Sequence, residues 1–482
     1  QEIPKRRIEF PNDEDRSTKG VPWQMGMLSD PSQFDPLFFE ISPGEAEEMD
    51  PRQRMLLEET WKALEDAQLG ELDLNNANVG TFVGVEDGDY RLNTGENVRI
   101  TSNHTGILAS RLAYYLNFKG ASIAINTACS SSLTALHQAC LSLKNDDCDN
   151  AVVAGASLIS RPETYLGMVH SGMIASDGKC YAFDQRANGL IPGEAVAVII
   201  LRKFSIAEKE NNRIYAKILG TGINYDGKTN GITAPNGKAQ AELYRKLYRK
   251  IGICTKEIEY IISHGTGTKL GDPIEMNALD EVFREDDCPP GNCAVTSVKP
   301  NIGHTLAASG IVNVISLVMA MRHKLIPGSL HCEQPSEFIN WNNSPLYINT
   351  EKKVWNERGT RGRIGAVSSF GVSGTNVHVV LESYEEKAIK TQRKKNLYYI
   401  ILLSAKTQTS LEKKLYDMKD IFEQHEDSNL PEISYALMDA RYHFNYRCAI
   451  LIKNVDEAIQ CIKNAIEGKL SETVLLGKVD VD

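Results

Sequence analysis

Basic residues are the minority in this 482-residue chain: 53 Lys and Arg stand against 63 Asp and Glu, a net charge of −10. Phosphate backbones need a cationic face, so nucleic acid is excluded as the main partner. Cysteine is sparse, ten in all, too dilute for a disulfide scaffold. Cys288 and Cys293 are the closest pair and no second pair sits at zinc-finger distance, so no metal site is expected. The thiols read as free, in a reducing, cytoplasmic compartment. No apolar run reaches the ~18–20 residues of a membrane span. The longest, 310–321, is broken by Asn313 and ends in Arg322, His323 and Lys324. Residues 1–7 are polar and carry no signal peptide. Composition is 42% hydrophobic and 24% charged, enough for a large core. At ~100–200 residues per domain, the length suggests two to four domains.

Strand-like and helix-like segments alternate along most of the chain. Helical spacing covers 55–67 and 103–118. Buried-strand runs cover 78–85, 121–126, 151–156 and 195–201. A helix runs from Thr127-Ala128-Cys129-Ser130-Ser131-Ser132 to about Lys144. A second series begins at 213–220. It continues with a helix at 239–251, strands at 259–263 and 294–298, an apolar helix at 305–321, and strands at 364–368 and 376–381. This alternation indicates an α/β fold. Asn126-Thr-Ala-Cys129 and Asn301-Ile-Gly-His304 each end a strand and open an apolar helix, which suggests an internal duplication. The stretch 385–396 (EEKAIKTQRKKN) reads as a charged linker. Beyond it, strands at 398–403 and 448–452 and helices at 410–422, 433–438 and 455–466 form a small α+β appendage without a chemical motif.

Cys129 stands out among the cysteines. At a strand-to-helix turn, the helix dipole and free amides favour a thiolate, the nucleophile needed to accept an acyl group; a buried structural cysteine is the alternative. His264 lies in His-Gly-Thr-Gly-Thr, a loop that offers backbone and hydroxyls to an amide-bearing chain but also reads as a plain turn. His304 follows Lys299-Pro300 at a helix start, where a satisfied core histidine is the ordinary case. Both histidines stand at the carboxyl ends of expected strands, where open α/β sheets bind ligands. Asp272-Pro273-Ile274-Glu275 has the pattern of a capped helix start, with Glu275 closing a capping box. The loop SSFGVSGTN (368–376) could donate an N–H to an oxyanion or be a tight hairpin. GTGIN (220–224) and SGTN (373–376) do not follow the dinucleotide pattern.

Together these motifs resemble the β-ketoacyl synthase family, and within it the ketosynthase domains of modular polyketide synthases. The carrying stretches are TACSSS around Cys129, HGTGTKLGDPIE from His264, KPNIGH ending at His304, and SSFGVSGTN. MDPRQR (49–54), FDQRANG (183–189) and NGITAPN (230–236) support them. The likeness spans residues 1–385; the tail resembles the linker subdomain that follows such domains. The wording SVKPNIGHTLAASG is similar to synthases whose acyltransferase acts in trans.

The resemblance implies the thiolase fold, two duplicated halves in five α/β layers, plus a small C-terminal α+β subdomain. The ketosynthase domain would span 1–385, with halves at about 1–205 and 213–385, and the flanking subdomain 386–482. It implies Cys129 as acyl-accepting nucleophile. His264 and His304 would bind the extender thioester carbonyl and stabilise the enolate formed on decarboxylation. Lys299, paired with Glu275, would orient the histidines. The amides of Cys129 and Val372 would form the oxyanion hole, and Thr266 and Thr268 would contact phosphopantetheine. The implied activity is acyl transfer from an acyl carrier protein, then decarboxylative Claisen condensation with a malonyl-type extender in polyketide elongation. No permanently bound cofactor is implied; partners are the carrier protein, a second copy in a homodimer and a trans-acting acyltransferase. Two departures stand out. Residue 372 is Val where a bulkier gate is common, which would admit branched or bulky chains. The chain also begins at what reads as mid-domain, so a first strand of the first half is expected to be missing. Competing readings are a non-elongating ketosynthase, which typically loses the histidine of HGTGT, a non-catalytic scaffold, which loses the nucleophile, and a thiolase using coenzyme A, which pairs two cysteines with one histidine.

Overall fold

Strand β1 (Val79–Val85) is buried along its whole length, as a central strand covered on both faces must be. In the computed structural model, which describes residues 3, 8, 23–70, 74, 77–93, 99–358, 361–385, 397–425, 429–469 and 471–479, β1 lies between β2 (Ser122–Ile125) and β3 (Asn150–Ser157), parallel to both. Strand β4 (Ala195–Arg202) closes this sheet antiparallel to β3, giving the order β2-β1-β3-β4. The second sheet has the order β5-β12-β11-β6-β7-β9. Its strands are β5 (Ala216–Tyr225), β6 (Tyr260–Ile262), β7 (Cys293–Thr296), β9 (Leu346–Ile348), β11 (Ile364–Phe370) and β12 (Thr375–Ser383). Short strands β8 (Leu325–Ile326) and β10 (Lys353–Val354) pair separately.

The duplication is visible in the pairing. In β7-β6-β11-β12, β6 is parallel to β7 and β11, and β12 is antiparallel to β11. That repeats β2-β1-β3-β4 strand for strand. On the outer edge of β12 lies β5; the outer edge of β4 takes no strand among the described residues.

Five layers follow from what packs on what. Helices Ser131–Lys144 and Ser309–His323 pack against each other, the first on β1 and β3, the second on β11. Leu133, Leu136, Ile311, Val314 and Leu317 share one buried cluster between the sheets. Helix Thr105–Tyr115 covers the far face of the first sheet; Gly237–Ile251, flanked by Gly271–Glu285, covers the second. The two central helices nearly touch backbone to backbone at Gly310, where a Cβ would stand 2.8 Å from the Leu133 nitrogen. This is the thiolase fold.

Three expectations need correction. The strand expected at 213–220 is β5, which runs on through GTGIN because its pairing with β12 continues to Tyr225. The apolar helix is preceded by a 3-10 turn, Leu306–Ala308. Turn and helix together, Leu306–His323, are long and apolar enough to cross a membrane by length and composition, although the sequence count stopped at Met321. Its apolar side faces the protein core.

By contact density the chain divides into two units, 1–60 with 78–386, and 61–77 with 387–482. The second contains an antiparallel sheet of β13 (Tyr399–Ala405), β14 (Tyr446–Ile452) and β15 (Val474–Lys478). Helices Gln408–Gln424, Leu430–Asp439 and Val455–Ile466 belong to it, and Ile401, Leu415, Phe422, Ile450 and Ile462 fill its core. The charged stretch after residue 385 lies outside the described residues.

Candidate active site

The carboxyl ends of both parallel sheets carry the residues singled out above. After β2 the chain turns through Ala128, whose φ of +54° is a left-handed conformation that alanine rarely adopts. Side chains hold the turn: Asn126 Oδ1 accepts the Ala128 N–H at 3.1 Å, and Ser131 Oγ accepts the Thr127 N–H at 2.9 Å while donating to the Ala128 carbonyl at 2.6 Å. Cys129 follows, one residue before the cap of Ser131–Lys144. Its carbonyl accepts from Ser309 Oγ at 3.0 Å and Ser369 Oγ at 2.8 Å. Both hydroxyls belong to the second half, so the Cys129 backbone is pinned across the duplication.

The Cys129 thiol departs from the sequence-based expectation. Burial pushes it up to about 12, the Glu86 carboxylate pushes the same way, and Lys299 opposes them. The helix terminus does not outweigh desolvation here, and the thiol is protonated at neutral pH. The backbone N–H groups of Val372 and of Cys129 itself donate toward the sulfur, the pair expected to line an oxyanion hole. Val372 sits in the four-residue turn between β11 and β12, closed by Gly371 N–H to the Thr375 carbonyl at 2.8 Å.

His264 follows β6. Glu275 accepts its N–H at 2.8 Å and that of Gly265 at 2.9 Å. Lys299 Nζ donates to the His264 carbonyl. Glu275 and Lys299 thus grip the same stretch of backbone, and among the described residues no direct ion pair joins them. The capping-box reading of Glu275 is corrected too. Helix Gly271–Glu285 is capped at Leu270 without a side-chain bond, and the carboxylate is spent on the neighbouring loop. Asp272 likewise turns away from its own helix. It accepts from Phe183 N–H at 2.8 Å, Thr266 N–H at 3.0 Å and Gly267 N–H at 3.2 Å.

The His264 and His304 rings face each other edge to face, centroids 5.4 Å apart at 84°. Burial first, then the Lys299 charge, holds both well below the usual imidazole range. Both are neutral. The Phe370 N–H points at His264 Nδ1 over a long 3.4 Å, which leaves the proton on Nε2 and makes that nitrogen a donor. His304 is anchored by its own backbone, N–H to the Ile191 carbonyl at 2.6 Å and carbonyl to Gly193 N–H at 2.8 Å; its Nδ1 has no partner among the described residues. Burial lowers the Lys299 ammonium and raises the Glu275 carboxyl to about 7 and Asp272 to about 6. Thr266 and Thr268 extend the His264 loop with hydroxyls 3.1 Å apart.

The structure therefore gathers His264, His304, Lys299 and Glu275 around one backbone segment, with the Cys129 thiol within the field of Lys299 and under the Val372 amide. Sequence reasoning missed Ser309 and Ser369. Ser369 stood inside a quoted motif, but nothing local says that its hydroxyl reaches the Cys129 carbonyl. No group of three or more His, Cys, Asp or Glu among the described residues could hold a metal ion.

Comparison with known proteins points the same way. Residues 1–207 match the family model for the beta-ketoacyl synthase N-terminal domain, 215–333 that for its C-terminal domain, and 335–451 that for the ketoacyl-synthetase C-terminal extension. Polyketide synthase PksL of Bacillus subtilis is 43% identical over 91% of the chain, and polyketide synthase ThaG of Burkholderia thailandensis 42% over 90%. The chain spans only 10% and 8% of those relatives. Among solved structures, the ketosynthase from module 6 of the bacillaene synthase of Bacillus subtilis superposes with a TM-score of 0.91 at 40% identity, over 99% of this chain and 82% of that one. An oxazolomycin ketosynthase domain of Streptomyces albus gives 0.89 at 30%, over 99% and 84%.

Proposed function

Because the chain belongs to the β-ketoacyl synthase family, we propose that it is an elongating ketosynthase of a polyketide synthase, with Cys129 as nucleophile and His264 and His304 as the decarboxylation pair. The observation that carries this reading is the convergence of a thiol under two backbone N–H groups with two neutral, facing imidazoles beside a buried lysine.

The chemistry follows from the protonation states. An acyl thioester on the phosphopantetheine arm of a carrier protein places its carbonyl oxygen at the Cys129 and Val372 amides. The Cys129 sulfur attacks, and the thiol proton passes by way of an imidazole to the departing pantetheine thiolate. A malonyl-type thioester then places its carbonyl against His264 Nε2–H and His304. Loss of CO₂ leaves an enolate, which these donors stabilise; each preorganised donor contributes ~3 kcal/mol. The enolate carbon attacks the Cys129 thioester, the β-ketoacyl product stays on the carrier, and the Cys129 thiolate recovers a proton. Release of CO₂ drives the condensation, so the reading calls for no permanently bound cofactor. Lys299 and Glu275 hold the His264 backbone, and Thr266 and Thr268 line the pantetheine path.

The ketosynthase portion is 1–385, with halves at about 1–205 and 213–385, followed by a flanking subdomain at 386–482. A homodimer is supported by the outer edge of β2, which takes no strand among the described residues and where Ser122 and Ile123 are exposed: an unpaired edge invites a second copy. The ten cysteines are all unbridged, which supports a reducing, cytoplasmic setting. The stretch SVKPNIGHTLAASG supports extender supply by an acyltransferase acting in trans.

The test follows acyl loading by intact-protein mass spectrometry and CO₂ release from malonyl-carrier protein. The native chain loads and extends. Cys129→Ala loses loading altogether. His264→Ala and His304→Ala still load, but decarboxylation falls ~10²–10³-fold. If the native chain loads yet neither decarboxylates nor extends, it is a non-elongating relay instead; if it does not load at all, it is a scaffold.

A further inference from the structure

The duplication assigns a position in the first half to every catalytic position in the second. The last paired residue of β6 is Ile262, opposite Thr296; the last of β1 facing β2 is Gly84, opposite Ile125. His264 stands two residues beyond Ile262. Two residues beyond Gly84 stands Glu86.

Three further observations place the Glu86 carboxyl beside the nucleophile. Side chains two apart along a strand share a face. A Cβ on Gly84 would lie 2.2 Å from the Ser132 nitrogen and 2.5 Å from the Ser131 carbonyl carbon, so that face looks onto the start of the Cys129 helix. Glu86 continues it ~6–7 Å further, past the sheet edge. The Glu86 charge also acts on the Cys129 thiol more strongly than the Lys299 charge does. Lastly, the carboxyl accepts no hydrogen bond from the protein among the described residues; burial pushes it up, and the Arg52 charge opposes that shift. Arg52, the nearest cation, spends Nε and one Nη on Asp50 and the other Nη on the Glu86 backbone carbonyl at 2.8 Å. Neither Glu86 carboxyl oxygen has a hydrogen-bond partner among the described residues, and neither is a fully enclosed orphan, so each keeps some accessible surface.

From this placement we infer that Glu86 is a specificity-determining residue, accepting a hydrogen bond from a hydroxyl or amide N–H near the thioester of the acyl chain loaded on Cys129. A half-buried acceptor without a hydrogen-bond partner in the protein is left unpaired by a plain hydrocarbon chain and satisfied by a chain carrying a donor, and such sites discriminate strongly. The same carboxylate repels an acyl chain that ends in a carboxylate. The inference rests on the proposed function, since it requires Cys129 to carry an acyl group.

The test compares initial rates of Cys129 loading from 3-hydroxybutyryl-, butyryl- and succinyl-pantetheine by intact-protein mass spectrometry, in the native chain, Glu86→Gln and Glu86→Leu. The native chain loads the hydroxylated chain about tenfold faster than the plain one, the scale of one hydrogen bond to a charged group, and loads succinyl slowest. Glu86→Leu brings the hydroxybutyryl-to-butyryl ratio to about one. Glu86→Gln, whose amide oxygen still accepts, keeps part of that preference but loses the penalty on succinyl. A merely structural role would change all three rates together and leave their ratios alone. Loading with ratios unchanged in both variants overturns this inference and spares the ketosynthase reading; no loading of the native chain by any of the three overturns both.

Discussion

The Cys129 turn and the His304 turn follow equivalent strands, β2 and β7, and lead to the two central helices. Each sets a residue of positive φ just before its reactive side chain, Ala128 at +54° and Gly303 at +81°. They are built by opposite means. Ala128 occupies the left-handed region that costs an L-residue ~1–2 kcal/mol, held by the hydrogen bonds of Asn126 and Ser131. Gly303 has ψ of 174°, a region open essentially to glycine alone. Its backbone lies on Pro192, whose oxygen would stand 2.4 Å from an added Cβ. The Cys129 turn is thus a local object that tolerates a side chain at some strain. The histidine's turn is a tertiary contact that tolerates none.

The comparison breaks most visibly at Gly303. Gly303→Ala combines a forbidden conformation with a backbone clash, and the strand-like contacts of His304 with Ile191 and Gly193 must move with it. We expect a loss above ~3 kcal/mol, the range of strain at a special backbone position, with decarboxylation lost before acyl loading. Thermal denaturation beside the two activity assays checks this; a midpoint within a degree or two of the native chain would show that the His304 turn is as local as the Cys129 turn.

A second contrast is electrostatic. The second half holds three imidazoles kept neutral by desolvation: His304 and His378, which are buried, and His264, which is partly buried. His378 bonds Tyr248 Oη at 2.9 Å and Ser368 Oγ at 3.0 Å, and burial lowers it to about 3 from an ordinary 6.5. In the unfolded chain it takes a proton below 6.5; in the folded chain it does not until about 3. Stability therefore falls as pH drops through this window, by up to ~1.4 kcal/mol per pH unit. Asp272, raised to about 6, works in the opposite sense: its contribution is present below its unfolded value near 3.8 and lost as pH rises through about 6. His378→Gln should flatten the acid limb of a stability profile measured between pH 7 and 4.5, gaining ~2 kcal/mol relative to the native chain near pH 5 on this scale. An unchanged slope would mean that His378 is not buried neutral.

The two turns also show what a sequence discloses. Cys129, His264 and His304 were legible because each ends an apolar run in a turn of small residues, and turn chemistry is local. The α/β class was legible as alternation of strands and helices, and the repeat as one tetrapeptide frame; the order of strands in each sheet was not. Glu275 was not. Its spacing satisfies a capping box, yet its carboxylate serves the loop after β6, a choice fixed by how helix and strand meet. The Cys129 thiol misled in the same way: the helix-terminus rule is local, whereas the desolvation that outweighs it comes from the whole surrounding fold. Glu86 sits in a short acidic run, Glu-Asp-Gly-Asp, that has the composition of any solvated loop; only the pairing register sets it level with His264.

The smallest effect tests the other side of the comparison. Ala128→Gly removes the strain of the Cys129 turn, ~1–2 kcal/mol, but frees the unfolded chain by ~0.4–1 kcal/mol, so the two largely offset. The denaturation midpoint should move by ~2 °C or less. Loading should still slow several-fold, because glycine relaxes the peptide that aims the Cys129 N–H at the oxyanion, and a misdirected donor forfeits part of its ~3 kcal/mol. Stability and loading thus separate at Ala128, whereas at Gly303 stability and decarboxylation fall together. If Ala128→Gly instead destabilised the chain as much as Gly303→Ala, the side-chain clamp of Asn126 and Ser131 would not be what holds the turn.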